Sequence, residues 1–241
     1  MLPHFIIGGH AIENVLTWPN LGHIFSANLL DGDDIVAHRN SFIGQTNTFL
    51  GNFSKVDVSV RNMLFKSYCS SHYGAELWDL SNSKIEDYCI AWRKGLREVW
   101  KLPHDSSCLY VALVSNTVPL LDELCRRVMN FMYTCLHCDS NFVRSIVSHG
   151  IAAGTSSPIG RNAAFCSLRY NMRVDSIGDN KLTGGHWFEL FNSKLNIDSI
   201  DRATALREII YVREGLYEFS NSDFGIDDAK TLIRLLACLH N

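Results

Sequence analysis

The sequence predicts an α+β fold that is mostly α: a small antiparallel β segment at the N-terminus, then a helical bundle, then further helices. Three observations carry this. Strand-like runs flanked by turn residues are confined to the first thirty residues. Apolar spacing changes to three- and four-residue steps after Asp31-Gly32-Asp33-Asp34, and that spacing persists beyond Pro103. The same breaks divide the chain into residues 1–34, 35–103 and 104–241.

The runs FII and AIENV flank Gly8-Gly9-His10, where glycine supplies the positive φ of a tight hairpin turn. A third run, LGHIFSANL, follows Pro19-Asn20. Leu21, Phe25 and Leu29 share one of its sides and Ile24 takes the other. Residues 35–54 place Ile35, Phe42, Ile43, Phe49, Leu50 and Phe53 on one helical stripe. Asp57 is placed to cap a second helix over 57–73, with Val60, Leu64 and Tyr68 as its apolar face and Gly74 to end it. Ser83-Lys84-Ile85-Glu86 has the S-x-x-E form of a capping box and opens a third helix over 84–101, which stops before Pro103.

That third helix carries the clearest pattern. At about 100° per residue, Ile85, Cys89, Trp92, Leu96, Val99 and Trp100 share one side. Arg93, Lys94, Arg97 and Lys101 fall within about a 100° arc on another side, where they could line a phosphate backbone. Further on, Leu120, Leu121, Leu124, Val128, Phe131 and Cys135 form one stripe and Phe142, Ile146 and His149 another. The stretch GTSSPIGRN at 154–162 reads as a linker or exposed loop, and two more helices are predicted near 199–220 and 226–239.

With 241 residues, 46% of them apolar and 20% charged, the composition excludes a disordered tail, a collagen-like repeat and a multi-span membrane protein. The net charge of −3 is unevenly spread. Residues 1–34 hold no Lys or Arg and four acids, whereas residues 35–170 hold 14 basic and 10 acidic side chains. No signal peptide and no membrane-spanning run are readable, so the expectation is an intracellular protein, in cytoplasm or nucleus, that has no membrane partner. The eight Cys follow no secreted-scaffold spacing and are expected as reduced, mostly buried thiols.

Candidate catalytic chemistry is sparse. Gly32-Asp33-Asp34 resembles a two-metal aspartate pair, but no Asp precedes Asp31 to complete it. Asp33 or Asp34 is instead expected to cap the helix starting at Ile35, and Asp227-Asp228 to begin a later one. Cys135-x-x-Cys138 supplies one zinc-like pair, while His149 and Cys166 are too far apart to make a second. No G-x-S-x-G elbow, P-loop or G-x-G-x-x-G is present, and no cofactor is expected.

The succession NLGHIFS, FIGQTNTFLGNF, LFKSYCSSHYGAELWDL, AWRKGLREVWKLP and CRRVMNFMYTCLHCDSNFV resembles the C-terminal part of a non-LTR (LINE-type) retrotransposon reverse transcriptase, over about residues 5–170. The resemblance implies that Leu21-Gly22, followed by His23, matches the primer-grip turn, with Asn20 standing where the family often has Tyr. It implies that residues 35–103 form the thumb, packed together by Trp78, Trp92 and Trp100. Arg93, Lys94, Arg97 and Lys101 would then be nucleic-acid backbone contacts.

The family's catalytic aspartates, including a Tyr-x-Asp-Asp turn, lie upstream of its primer grip, whereas Met1 stands about twenty residues before the matching Leu21-Gly22. The resemblance therefore implies a chain without fingers, most of the palm or endonuclease, and without polymerase activity. Mg²⁺ is expected only in the full-length family enzyme. What it leaves is weak, sequence-independent binding of an RNA–DNA duplex. The competing expectations are a protein-interaction module that docks a partner or itself through the N-terminal sheet, and a degenerate open reading frame with no function.

Overall fold

Two short hairpins open the chain. β1 (Ile6–Ile7) pairs antiparallel with β2 (His10–Ala11) across Gly8, whose φ is +59°. β3 (Thr17–Asn20) pairs antiparallel with β4 (His23–Ser26), setting Trp18 opposite Phe25. The two-residue turn Leu21-Gly22 has positive φ at both positions, 49° and 86°, the pattern of turn that matches strand twist. The computed structural model describes residues 6–8, 10–11, 15–102, 104, 106, 108–174, 189–191, 193, 201, 204 and 207. The helices predicted near 199–220 and 226–239 lie outside the described residues, apart from helical Asp201, Thr204 and Arg207.

Among the described residues, the regular elements after the second hairpin are all helices. α1 (Gly32–Asn52) begins three residues before Ile35, so Asp33 and Asp34 sit inside its first turn and do not cap it. Asp34 is drawn inward, while Asp33 stays exposed, and both bond to the second hairpin. Ile35, Phe42 and Phe49 are buried as the spacing predicts, while Ile43 stays partly in water. α2 (Val58–Cys69) is capped by Asp57, whose carboxylate accepts from the Ser59 and Val60 amides at 2.8 and 3.4 Å.

The inward face of α2 differs from the predicted one. Val60 and Tyr68 are exposed, whereas Val58, Arg61, Asn62, Phe65 and Cys69 are buried. The cause is polar. Arg61 donates from Nε to the Val99 carbonyl at 2.6 Å, and from Nη1 to the Ser54 carbonyl at 3.3 Å. Asn62 donates to the Ser115 carbonyl at 3.0 Å and accepts from the Trp100 indole at 3.1 Å. Helix-end carbonyls need donors, and these two side chains supply them from within the core. A hydrophobic stripe read from the sequence cannot register that demand.

A 3-10 turn (Ala75–Leu77) leads to α3 (Lys84–Val99). Its capping box does not form: Ser83 is helical in backbone and makes no cap bond. Asn82 acts one residue earlier, accepting from the Lys84 amide at 3.0 Å. The apolar side of α3 is buried as predicted, with Ile85, Cys89, Trp92, Leu96, Val99 and Trp100 all withdrawn from water. Trp78 joins Trp92 and Trp100 in the same core.

α4 (Cys108–Val114), α5 (Leu120–Leu136), α6 (Asn141–Ala152) and α7 (Pro158–Tyr170) complete the described bundle. On α5, Leu120, Leu124 and Val128 are buried as expected, and Asp122 is buried with them. Arg169 grips the Asp122 carboxylate through two bonds of 2.9 and 2.8 Å, and the Tyr170 hydroxyl donates to it. On α6 the predicted stripe faces outward: Phe142 and Ile146 are exposed, and Val147 and Gly150 face in.

Residues 154–162 form a corner and not a linker. A second 3-10 turn (Gly154–Ser156) passes directly into α7, where Ser157 caps the helix by accepting from the Gly160 amide at 2.9 Å and Pro158 takes the first turn. Glycine is required at 160, since a Cβ there would lie 1.9 Å from the Gly154 carbonyl oxygen. Polar bonds tie α7 back to the segment before α3. Asn162 donates to the Trp78 carbonyl and accepts from the Leu80 amide, both at 2.8 Å, and Arg161 meets Asp79 at 2.6 Å.

Buried side chains from Ile35 to Tyr170 form one continuous core. Among the described residues no helix is long and apolar enough to cross a membrane. Cys69, Cys89, Cys125 and Cys166 are buried free thiols; burial pushes up the pKa of Cys69 and Cys89, and a hydrogen bond with Cys125, together with burial, pushes up that of Cys166.

Two glycine replacements should separate packing from propensity. Gly160→Ala is expected to destabilise by about 1–3 kcal/mol through backbone overpacking. Gly44→Ala, on α1 with nothing within 4 Å of the added methyl, is expected to stabilise by about 0.5–1 kcal/mol. Urea unfolding midpoints of the two variants measure both.

Candidate nucleic-acid interface and its carboxylate anchor

The β3–β4 hairpin is fastened to the bundle by carboxylates of α1. Asp34 is 3% exposed. Its Oδ1 accepts from the Ile24 amide at 2.8 Å, and its Oδ2 accepts from the Trp78 indole at 2.7 Å and meets His23 Nδ1 at 2.9 Å. Two separate segments, β4 and the stretch before α3, thus converge on one side chain. Next to it, Asp33 accepts from the Ser26 hydroxyl at 2.8 Å, and Asp31 accepts from the Asp79 amide and from Asn82.

These bonds explain why the aspartates are acidic residues in a first helical turn that do no capping. Burial on its own would raise the Asp34 pKa. The hydrogen bonds from His23, Trp78 and Ile24, with the nearby charge of His38, outweigh it and hold the carboxyl below its usual value of 3.8. His23 packs its ring on Gly74, where φ is +72° and an added Cβ would lie 1.9 Å from the ring. Tyr73 stands beside the same imidazole, with ring centres 5.6 Å apart.

The seven residues singled out in the sequence fall into two groups. Leu21 and Gly22 form the exposed tip of the hairpin, and His23 turns inward as part of its anchor. On α3, Lys94 and Lys101 are exposed, and Lys101 adopts φ +49° just beyond the helix. Arg93 pairs with Glu86 at 2.7 Å, and Arg97 donates to the Ser106 carbonyl at 3.1 Å. Part of the basic arc is therefore engaged within the protein.

The structure does not bring the two groups together. α1 and α3 run in the same direction, with Arg39 beside Asp87 at 3.9 Å and Thr46 over Gly95. At 1.5 Å per residue, the α3 cations lie roughly 15–30 Å beyond Asp34 along the bundle. Asp34 and Arg39 leave α1 about 140° apart, so hairpin and α3 flank different sides of that helix.

Sequence reading missed the neighbours of the tip. Trp18 and Phe25, a cross-strand pair, are 60% and 54% exposed. It also missed that His23, Asp34 and His38 each place a ligand-type atom within 4.8 Å of the others. The four-residue step from Asp34 to His38 on one helix face was the available signal. The Cys135, Cys138, His149 and Cys166 set is dispersed, with Cys166 against Cys125 in the core and His149 exposed on α6. No family model, curated protein or solved structure matches the chain.

Two acid-side effects are expected. His72, buried and bonded to the Tyr88 hydroxyl at 2.9 Å, has its pKa pushed by desolvation from 6.5 to about 4. The unfolded chain therefore binds this proton first, and stability should fall by roughly 3 kcal/mol as pH drops from 6.5 to 4. Asp34 behaves as a depressed carboxyl: its contribution is present above pH 3.8 and lost as pH falls through its lower native value. Urea midpoints across pH should show the first fall shrink in His72→Gln and the second in Asp34→Ala, the latter being about 3 kcal/mol less stable at neutral pH.

Proposed function

We propose that the chain holds template–primer nucleic acid without joining nucleotides, in the manner of the primer grip and thumb of a LINE-type reverse transcriptase. One observation carries the reading. Leu21 occupies a left-handed backbone conformation at φ 49° and is 81% exposed, on a hairpin pinned by a buried carboxylate. Glycine or asparagine would suit that turn with less strain, and a polar residue would suit the water. A strained, exposed leucine on a rigid mount is what a contact surface demands, not what folding demands.

The surroundings fit strands of nucleic acid. Trp18 and Phe25 give flat faces on which bases can stack, worth about 1–3 kcal/mol per base. The hairpin needs such faces, because residues 1–34 contain no Lys or Arg to neutralise phosphate. Phosphate contact falls to α3, where Lys94 and Lys101 stand exposed. Asp31 and Asp33 accept from Asn82 and Ser26 and do not join Asp34 in one cluster of ligand atoms, which is why no two-metal joining step is assigned to the three aspartates.

A specific observation also favours protein docking through the same surface. Val15, Leu16, Leu29 and Leu30 are exposed beside Trp18, Leu21 and Phe25, a large apolar area for a hairpin edge. Size-exclusion chromatography separates the readings: an oligomer that Trp18→Ser returns to monomer favours docking.

Anisotropy titration with a labelled RNA–DNA hybrid at about 50 and 200 mM salt tests strand binding. Affinity should fall with salt. Lys94→Glu should reduce the logarithmic salt slope by about 1. Trp18→Ala should weaken binding by about 1–3 kcal/mol and leave that slope unchanged. Absence of binding at the lower salt rejects the reading.

A further inference from the structure

We propose that His23, Asp34 and His38 form a binding site for one divalent transition-metal ion of the zinc type, which clamps the β3–β4 hairpin to α1. The three side chains come from two elements and each offers a ligand atom within 4.8 Å of the other two. A tetrahedral ion with bonds of about 2.0–2.1 Å sets its ligands about 3.3 Å apart. His23 Nδ1 lies 2.9 Å from Asp34 Oδ2, close to that spacing, and a ring nitrogen of His38 stands beside both within the same 4.8 Å cluster.

The surrounding bonds orient the ligands as a metal site requires. The Trp78 indole and the Ile24 amide each donate to Asp34 and fix its carboxylate plane. His38 Nδ1 lies 3.0 Å from the Asp34 carbonyl oxygen, a bond that puts the proton on Nδ1 and leaves the Nε2 lone pair for an ion. Gly74 leaves room for the Cε1–Nε2 edge of the His23 ring, and the Tyr73 ring stands 5.6 Å away from it. With side-chain exposures of 11%, 5% and 18%, the three groups are largely shielded from water, and none of them is fully sealed from it.

Charge decides which ion. Two imidazoles and one carboxylate suit zinc or its first-row neighbours and not magnesium, which prefers oxygen alone. The positive end of the α1 dipole opposes any cation, and Asp31 and Asp33, in the same turn as Asp34, offset it. The metal ion takes the place of the hydrogen between His23 Nδ1 and Asp34 Oδ2, and a neutral His23 keeps its one ring proton by carrying it on Nε2.

Cobalt(II) serves as the spectroscopic probe on the full chain under reducing conditions. The expected result is one ion per chain with visible ligand-field bands, no thiolate-to-cobalt charge-transfer band, and displacement by zinc. His38→Gln removes a partly exposed ring bonded only within its own helix turn, and should lower affinity at least tenfold while far-UV circular dichroism is unchanged. His23→Gln provides the second variant. Zinc should raise the Tm of the unaltered chain and not of either variant. The site is refuted by an absent cobalt spectrum, by a thiolate charge-transfer band, or by affinity equal to the unaltered chain in both variants. Strand binding can fail without touching this outcome, because the metal titration contains no nucleic acid.

Discussion

A carboxylate taken out of water must be met by donors, and that demand at Asp34 organises the N-terminal third of the molecule. Its oxygens recruit the Ile24 amide from a strand, the Trp78 indole from the segment before α3, and an imidazole from the strand end. No apolar face of β3 is buried, since Thr17 to Asn20 are all exposed. The hairpin's position therefore follows from polar satisfaction and not from hydrophobic burial. The same convergence supplies both the rigid mount for the tip and the cluster of nitrogen and oxygen ligands.

The bundle repeats this logic at its helix ends. Arg61, Asn62, Asp122 and Asn162 are buried; Arg61 and Asn162 bond to backbone groups of other segments, and Asn62 bonds to the Ser115 carbonyl and the Trp100 indole. Asp122 instead forms a buried, two-pronged ion pair with Arg169. Such groups do little for net stability compared with apolar residues of similar size, but a wrong helix register would leave each of them unpaired. Register is thereby specified around a core of Trp78, Trp92 and Trp100 that would tolerate several arrangements.

Those features also set what was legible in the sequence. The third helix was readable because its apolar period is unbroken from Ile85 to Trp100. The second was misread by one position because Arg61 and Asn62 point inward, where periodicity assigns no polar residue. The corner at Gly154 looked like a loop from composition, while the same Ser157 and Pro158 cap and start a helix. Of the candidate site, the turn at Leu21-Gly22 was visible and its anchoring was not. Bonds from position 34 to positions 23 and 78 join residues that no local pattern links.

An appendage fixed by a few polar bonds has its own opening equilibrium. Releasing Asp34 and Asp33 from His23, Ile24 and Ser26 frees β3 and β4 while the Ile35-to-Tyr170 core stays intact. Backbone amides of this ladder then exchange with solvent hydrogen through subglobal excursions far cheaper than whole-molecule unfolding, whereas those of α3 must wait for the core to come apart. The exposed hairpin is thus kinetically decoupled from the body that carries it.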